Sequence, residues 1–355
     1  MFAPAIAIHC GVGFYDSEFR NQTQILLDST LSEAQRQLNS GGQTALDVCC
    51  DVCKLLEDSP LTNAGIGANL TNQGTVELDA TVMMSEPLLF GSVGALPGFK
   101  NPILVARKLL DLQRKARIFS DLLPACFLAG ESASDWCLKV GFSTCNQLIT
   151  DDALNFYQKA LKLQVKRKTD VSFDAEPLCK RMLGVGTVGA VVVDKSGLVC
   201  AGTSSGGIIL KEPGRVGSSA MYGAGCWAET KGNCRIAVSC SGEGEFLIWK
   251  QFSSRLCEAI LSNSVDSEEL LAPVFERCFE KISGLDAKCA AAICVRAFED
   301  EETEVCWGTN SYSFPVGFVG ANNEKQSEFN EAILNNSNER KLTVTSHLAR
   351  NVSES

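Results

Sequence analysis

Residues 184–217, GVGTVGAVVVDKSGLVCAGTSSGGIILKEPGRVG, constrain this chain more than any other stretch. Thr187 follows Gly186 and opens the run Val188-Gly189-Ala190-Val191-Val192-Val193, whose β-branched, apolar composition predicts a buried strand. Asp194-Lys195-Ser196-Gly197 supplies a turn and Leu198-Val199-Cys200-Ala201 a second strand, so the pair predicts a hairpin with Thr187 at the mouth of a sheet. The letters Gly184-Val185-Gly186-Thr187-Val188-Gly189 also spell G-x-G-x-x-G. That fingerprint holds a dinucleotide only where the glycines leave a strand and open a helix, and here they lead into a strand.

The order glycine, threonine, strand suits another chemistry. Cutting the Gly186–Thr187 bond would give Thr187 a free α-amine beside its own hydroxyl. An ordinary α-amine has a pKa of about 7.7–8.0 and can take the hydroxyl proton near neutral pH. No histidine is required, and the chain has only His9 and His347, one near each end, which leaves Ser-His-Asp or Cys-His catalysis few candidates. Gly186 lacks a Cβ that would shield its carbonyl from attack.

Composition narrows the alternatives. A net charge of −10 argues against nucleic-acid binding, and 45 % hydrophobic residues in 355 allow a large core. The 17 cysteines fall largely in apolar periodic segments, which predicts scattered core thiols; the lone Cys50/Cys53 pair lacks a second pair at zinc spacing. Met1–Ile8 has no basic leader region and reads as a first strand, and no apolar run reaches the ~20 residues of a membrane span. The expectation is a protein of the cytosol, the nucleus or both, not secreted and with no membrane partner. Lys166-Arg167-Lys168 fits a solvated helix end or a nuclear import signal.

Helical spacing covers 17–38, 44–56, 101–115, 132–140, 151–168, about 245–262 and 266–282. Strand patterns cover 2–9, 76–82, 234–240, 287–298, 304–310 and 316–319. Asp79, within an apolar strand, is expected to anchor a loop. Residues 169–183 predict an exposed linker and 323–355 a flexible tail. The expected fold class is α/β, in one domain, with helices flanking a mainly antiparallel pair of sheets.

Three further groups fit a threonine nucleophile. Thr203-Ser204-Ser205 would lie across the hairpin from Thr187, Ser241-Gly242 offers a hydroxyl and a backbone N–H for an oxyanion, and Arg215 suits a carboxylate. The segments IHCGVG (8–13), LLEDSPLTNAGIGANL (55–70), GALPGFKNP (94–102), TVGAVVVD, SSGG, PGRVG, YGAGCWAE (222–229) and VSCSGEGE (238–245) resemble the type-2 asparaginases. These are N-terminal nucleophile hydrolases, so the resemblance implies a four-layer αββα sandwich. Cys226-Trp227-Ala228-Glu229 and the Ser204-Ser205 pair look most like the threonine aspartase (taspase) branch, endopeptidases that cut after aspartate.

By that resemblance Thr187 is the nucleophile, Ser205 its hydroxyl partner, and Ser241 with Gly242 the oxyanion site. Arg215, Ser218 and Asn63 bind substrate, and cleavage between Gly186 and Thr187 yields an α chain (1–186) and a β chain (187–355) that pair as a heterodimer, with room for further dimerisation. No cofactor is implied beyond a structural ion in the 55–70 loop. Ser218 stands where the exopeptidase branch has an aspartate for the substrate's α-amine. Gly186 stands where taspases have aspartate, and Met84-Ser85 where aspartate-glycine is common. Protein substrates with internal aspartates are the leading expectation. An asparaginase or isoaspartyl dipeptidase, and an unprocessed binding protein, are the alternatives.

Overall fold

Alternation along one strand sets the layers. β5 (Val188–Val193) turns Val188, Ala190 and Val192 to one hydrophobic cluster and Val191 and Val193 to another, as a strand buried on both faces must. The computed structural model describes residues 1–40, 42–119, 123–169, 186–263, 271–283, 289–320, 324–331, 333–334 and 340–349. The expected linker, from residue 170 onward, lies outside them.

β5 is central in an eight-stranded sheet ordered β12-β11-β1-β5-β6-β2-β3-β4. Its members are β1 (Ala5–His9), β2 (Glu77–Met84), β3 (Leu89–Pro97), β4 (Phe127–Ala129), β6 (Val199–Ser205), β11 (Phe314–Gly320) and β12 (Lys325–Asn330). All neighbours are antiparallel except β3 and β4. The second sheet runs β15-β10-β9-β8-β7, built from β7 (Cys226–Lys231), β8 (Cys234–Gly242), β9 (Ala290–Ala297), β10 (Thr303–Thr309) and β15 (Thr343–Ala349). β13 (Ile333–Leu334) and β14 (Arg340–Lys341) pair with each other.

Helices cover both outer faces. α1 (Ser17–Ser40), α2 (Ala45–Glu57) and α3 (Pro102–Phe119) pack on the first sheet through Leu27, Leu31, Val48, Val52 and Ile103. α6 (Gly244–Lys250), α7 (Phe252–Asn263) and α8 (Leu271–Ser283) pack on the second through Phe246, Leu256, Phe275 and Phe279. Each such side chain, fully buried, contributes ~1.5–3 kcal/mol. Between the sheets small residues such as Ala5, Ala7, Ala201, Ala237 and Ala291 bring the layers close, with Trp307 and Phe318 filling one end. The result is the expected four-layer αββα sandwich. α4 (Gly130–Lys139) and α5 (Asp151–Thr169) complete the described helices.

Two expectations are corrected. The stretch expected as a flexible tail supplies strands: β12 pairs with β11 at the edge of one sheet and β15 with β10 at the edge of the other. The helix expected over about 245–262 is two helices, broken at Gln251, whose φ of 48° ends α6 in a left-handed cap. All sixteen described cysteines are free and most are buried, and no described helix is long and apolar enough to cross a membrane.

Candidate active site

Thr187 directly precedes β5, at the middle of the first sheet, and is 8 % exposed on a cavity of about 480 Å³. The peptide before it is tightly enclosed. A Cβ on Gly186 would stand 2.8 Å from both the Ser241 hydroxyl and the Val12 carbonyl, and one on Gly11 would stand 2.4 Å from the Gly186 carbonyl carbon. Gly11, at φ +85°, also needs the left-handed region that only glycine enters freely. The turn after β1 therefore closes over the Gly186–Thr187 bond, and glycine at both positions permits the approach.

The hydroxyls around Thr187 have separate partners. Ser219 Oγ donates to Thr187 Oγ1 at 3.4 Å, a long contact of the kind that tightens when substrate fills a site. Ser219 sits on the 3-10 turn Ser218–Ala220, and Thr203 Oγ1 on β6 holds that turn by donating to the Ser219 carbonyl at 3.2 Å. Ser205, expected as the partner, lies on the same cavity but accepts from Gly207 N at 2.9 Å. Among the described residues the hydroxyl bonded to Thr187 Oγ1 is that of Ser219, while Ser205, accepting from Gly207 N, keeps its own O–H to donate on the same cavity. Sequence reasoning passed over Ser219 because only Ser218 matched a family position, although the two are adjacent.

Ser241, at the end of β8, accepts from Val12 N at 3.1 Å and so stands behind Gly186; Gly242, next in the chain, lines the cavity. Asn63 lines it too, with its amide already committed: Nδ2 donates to the Gly207 carbonyl and Oδ1 accepts from Asn69 N, both at 2.8 Å. It holds the Gly206-Gly207 bend. His9 is buried opposite Gly189, its Nε2 2.9 Å from Ser239 Oγ. Burial holds that imidazole down to about 3, the Thr187 backbone pulling weakly the other way, so it is neutral near pH 7 and bonded away from the nucleophile's hydroxyl.

Arg215 is not alone, as the sequence suggested. Nε and Nη2 take Glu245 in a bidentate pair at 2.8–3.0 Å, a pair in which Nη1 has no share, and Arg215 lines the cavity. Three glycines make room for the guanidinium. A Cβ on Gly207, Gly217 or Gly244 would come within 2.9, 2.7 or 2.7 Å of its nitrogens. Asp79, fully buried, accepts from Ala95 N and Gly217 N at 2.8 Å each and so anchors the loop that carries Arg215, the role expected of it. Ser218 is buried beside Arg215 on the same cavity.

All of the expected residues thus converge on one cavity or stand directly behind it. Among the described residues no group of three or more His, Cys, Asp or Glu could hold a metal ion. If the Gly186–Thr187 bond opens, a wall of one cavity carries an amine, a hydroxyl and Arg215 together.

Comparison with known proteins supplies the family. The family model described as asparaginase matches residues 2–310. The chain is 36 % identical over 247 residues to an isoaspartyl peptidase of Escherichia coli strain K12, covering 68 % of this chain and 72 % of that protein. It is 34 % identical to a plant-type L-asparaginase of Pyrococcus horikoshii (69 % and 75 % covered) and 31 % identical to an isoaspartyl peptidase/L-asparaginase of Danio rerio (79 % and 84 % covered). The chain therefore belongs to the asparaginase family of self-processing N-terminal nucleophile hydrolases.

Proposed function

We propose that this hydrolase, once cut between Gly186 and Thr187, is a threonine endopeptidase that cleaves protein substrates after aspartate. In self-processing, Thr187 Oγ1 attacks the Gly186 carbonyl carbon and the C–N bond breaks. Nitrogen takes up the proton, and water then hydrolyses the resulting ester to free the Gly186 carboxylate and the Thr187 hydroxyl. On substrate the new α-amine takes the hydroxyl proton and the oxygen attacks the aspartyl carbonyl. The amine product leaves with a proton, and water releases the acyl group. Ser241 and the Gly242 N–H are the proposed oxyanion donors.

The observation that carries the endopeptidase reading is Ser218. It is 5 % exposed beside Arg215, where binding a substrate's free α-amine would call for a carboxylate. The buried carboxylate nearby is committed, Asp79 holding two backbone N–H groups, and Glu245 holds Arg215. A peptide with no charged amine at that point suits such a wall.

A second reading, an isoaspartyl peptidase or asparaginase, is favoured by the names of the relatives and by Gly186, which the close approach of Val12 and Ser241 requires. Two assays decide. Denaturing mass spectrometry should show two fragments for the wild type and one for Thr187→Ala; an intact wild type would leave only a binding role. Processed protein should then cut an internal Asp-Gly peptide and spare an isoaspartyl dipeptide and asparagine. The reverse preference establishes the second reading.

A further inference from the structure

Tyr15 does not line the cavity, yet it holds the turn that covers the bond to be cut. It is 3 % exposed, and its Oη donates to the carbonyls of both Cys10 and Gly11, at 3.0 Å each. Those carbonyls belong to the two rigid peptide planes on either side of the Gly11 Cα, so one hydroxyl restrains both φ and ψ of that residue. Glycine has the widest choice of those angles, and Gly11 at φ +85° occupies a region that it can leave as easily as it enters unless something holds it. Burial raises the Tyr15 pKa well above its ordinary value, so near neutral pH the hydroxyl keeps its proton and remains a donor.

What Gly11 touches gives that restraint a target. A Cβ on Gly11 would stand 2.4 Å from the Gly186 carbonyl carbon and 2.6 Å from the Thr187 carbonyl oxygen. The backbone of the next residue closes on Gly186 from the same side, with Val12 O and N at 2.8 and 3.0 Å from a Cβ placed there. The amides of the turn are pinned elsewhere: Cys10 N donates to Pro315 O and Gly13 N to Ser313 O, both at 3.0 Å, and Val12 N to Ser241 Oγ at 3.1 Å. Tyr15 holds the carbonyl side. It is itself fixed just before α1, its ring 5.3 Å from those of Phe19 and Phe329 and its carbonyl accepting from Arg20 Nε at 3.1 Å. Phe329 is on β12, so an element from beyond the cut braces a turn from before it. Attack on a carbonyl is sensitive to such placement, a shift of about 1 Å costing on the order of a hundredfold in rate.

We infer that Tyr15 is a positioning residue for self-cleavage. Through the Cys10 and Gly11 carbonyls it presses the turn against the Gly186 carbonyl and fixes the geometry that Thr187 Oγ1 attacks. Its part ends with the cut, since the processed protein has no Gly186–Thr187 peptide left to hold. The inference rests on that bond opening, which both enzymatic readings of the function share.

Chains made by cell-free translation and sampled over time give the self-cleavage rate from the appearance of the two fragments. Tyr15→Phe keeps the ring and loses the hydroxyl, and should slow the cut at least about tenfold. Tyr15→para-aminophenylalanine puts a donor back at the same place and should restore the rate. Melting temperatures of the same substitutions in uncut Thr187→Ala chains control for folding. Once cut to completion, Tyr15→Phe should turn over the Asp-Gly peptide or the isoaspartyl dipeptide, whichever the wild type takes, with the kcat and KM of the wild type. Should the phenylalanine variant not be cut at all, recovery by the amino variant decides. Self-cleavage of Tyr15→Phe at the wild-type rate, no recovery with the amino variant, or turnover that falls in step with self-cleavage overturns the inference and leaves the function standing. A wild type that stays whole overturns both.

Discussion

At the level of single residues, Thr187 lies between two serines that reach it by different routes. A period-two strand places Ser205 across the hairpin from it, since Val188 pairs with Ser204. That spacing is local. Ser219 reaches Thr187 through a chain reversal 32 residues long, and Glu245 reaches Arg215 from another element 30 residues away; neither separation has a sequence period. The two serines should separate in kinetics. Ser219→Ala removes a hydrogen bond to the nucleophile worth ~0.5–1.5 kcal/mol, so kcat should fall up to about tenfold with KM little changed. Ser205→Ala frees the Gly207 N–H beside Arg215, so its effect should fall chiefly on KM. Steady-state rates of the processed variants check both, and the opposite pattern would give Ser205 the role of partner.

Among the elements, helices with caps were legible and polar strands were not. α2 shows why: Thr44 and Asp47 form a reciprocal capping box, and its apolar residues recur at helical spacing. β12, KQSEFN, and β15, TVTSHLA, are edge strands half open to solvent, so their polar alternation resembles loop composition. The end of α2 also carries a titratable joint. Glu57 is fully buried, its Oε1 accepts from Ile103 N at the start of α3, and burial pushes its carboxyl up to about 8. The folded state therefore holds a proton that the unfolded chain releases near its ordinary value of 4.5. The stabilisation is complete below pH 4.5 and is lost as pH rises toward 8, by at most ~1.4 kcal/mol per pH unit. Glu57→Gln should remove this slope. Urea midpoints between pH 5 and 8 would show a smaller decline in the variant; parallel declines would mean that Glu57 is ionised in the fold.

For the whole molecule, strand order decides what a cut at Gly186–Thr187 can do. In the first sheet β12 and β11 come from the segment after the cut and β1 from before it. β5 and β6 come from after it, and β2, β3 and β4 from before it. The two segments are interleaved, joined across the β11–β1, β1–β5 and β6–β2 ladders, and share the cluster beneath α2 and the layer between the sheets. Pulling them apart would open every one of these ladders and expose both cores, which is unfolding and not dissociation. One broken peptide bond at the mouth of β5 removes none of those contacts. Processed protein should therefore keep a mass of 38.1 kDa per αβ unit under native mass spectrometry even at nanomolar dilution, separate into two fragments only in denaturant, and melt in a single transition. Fragments that part on dilution before any loss of circular dichroism would show that the strand order does not hold the halves together.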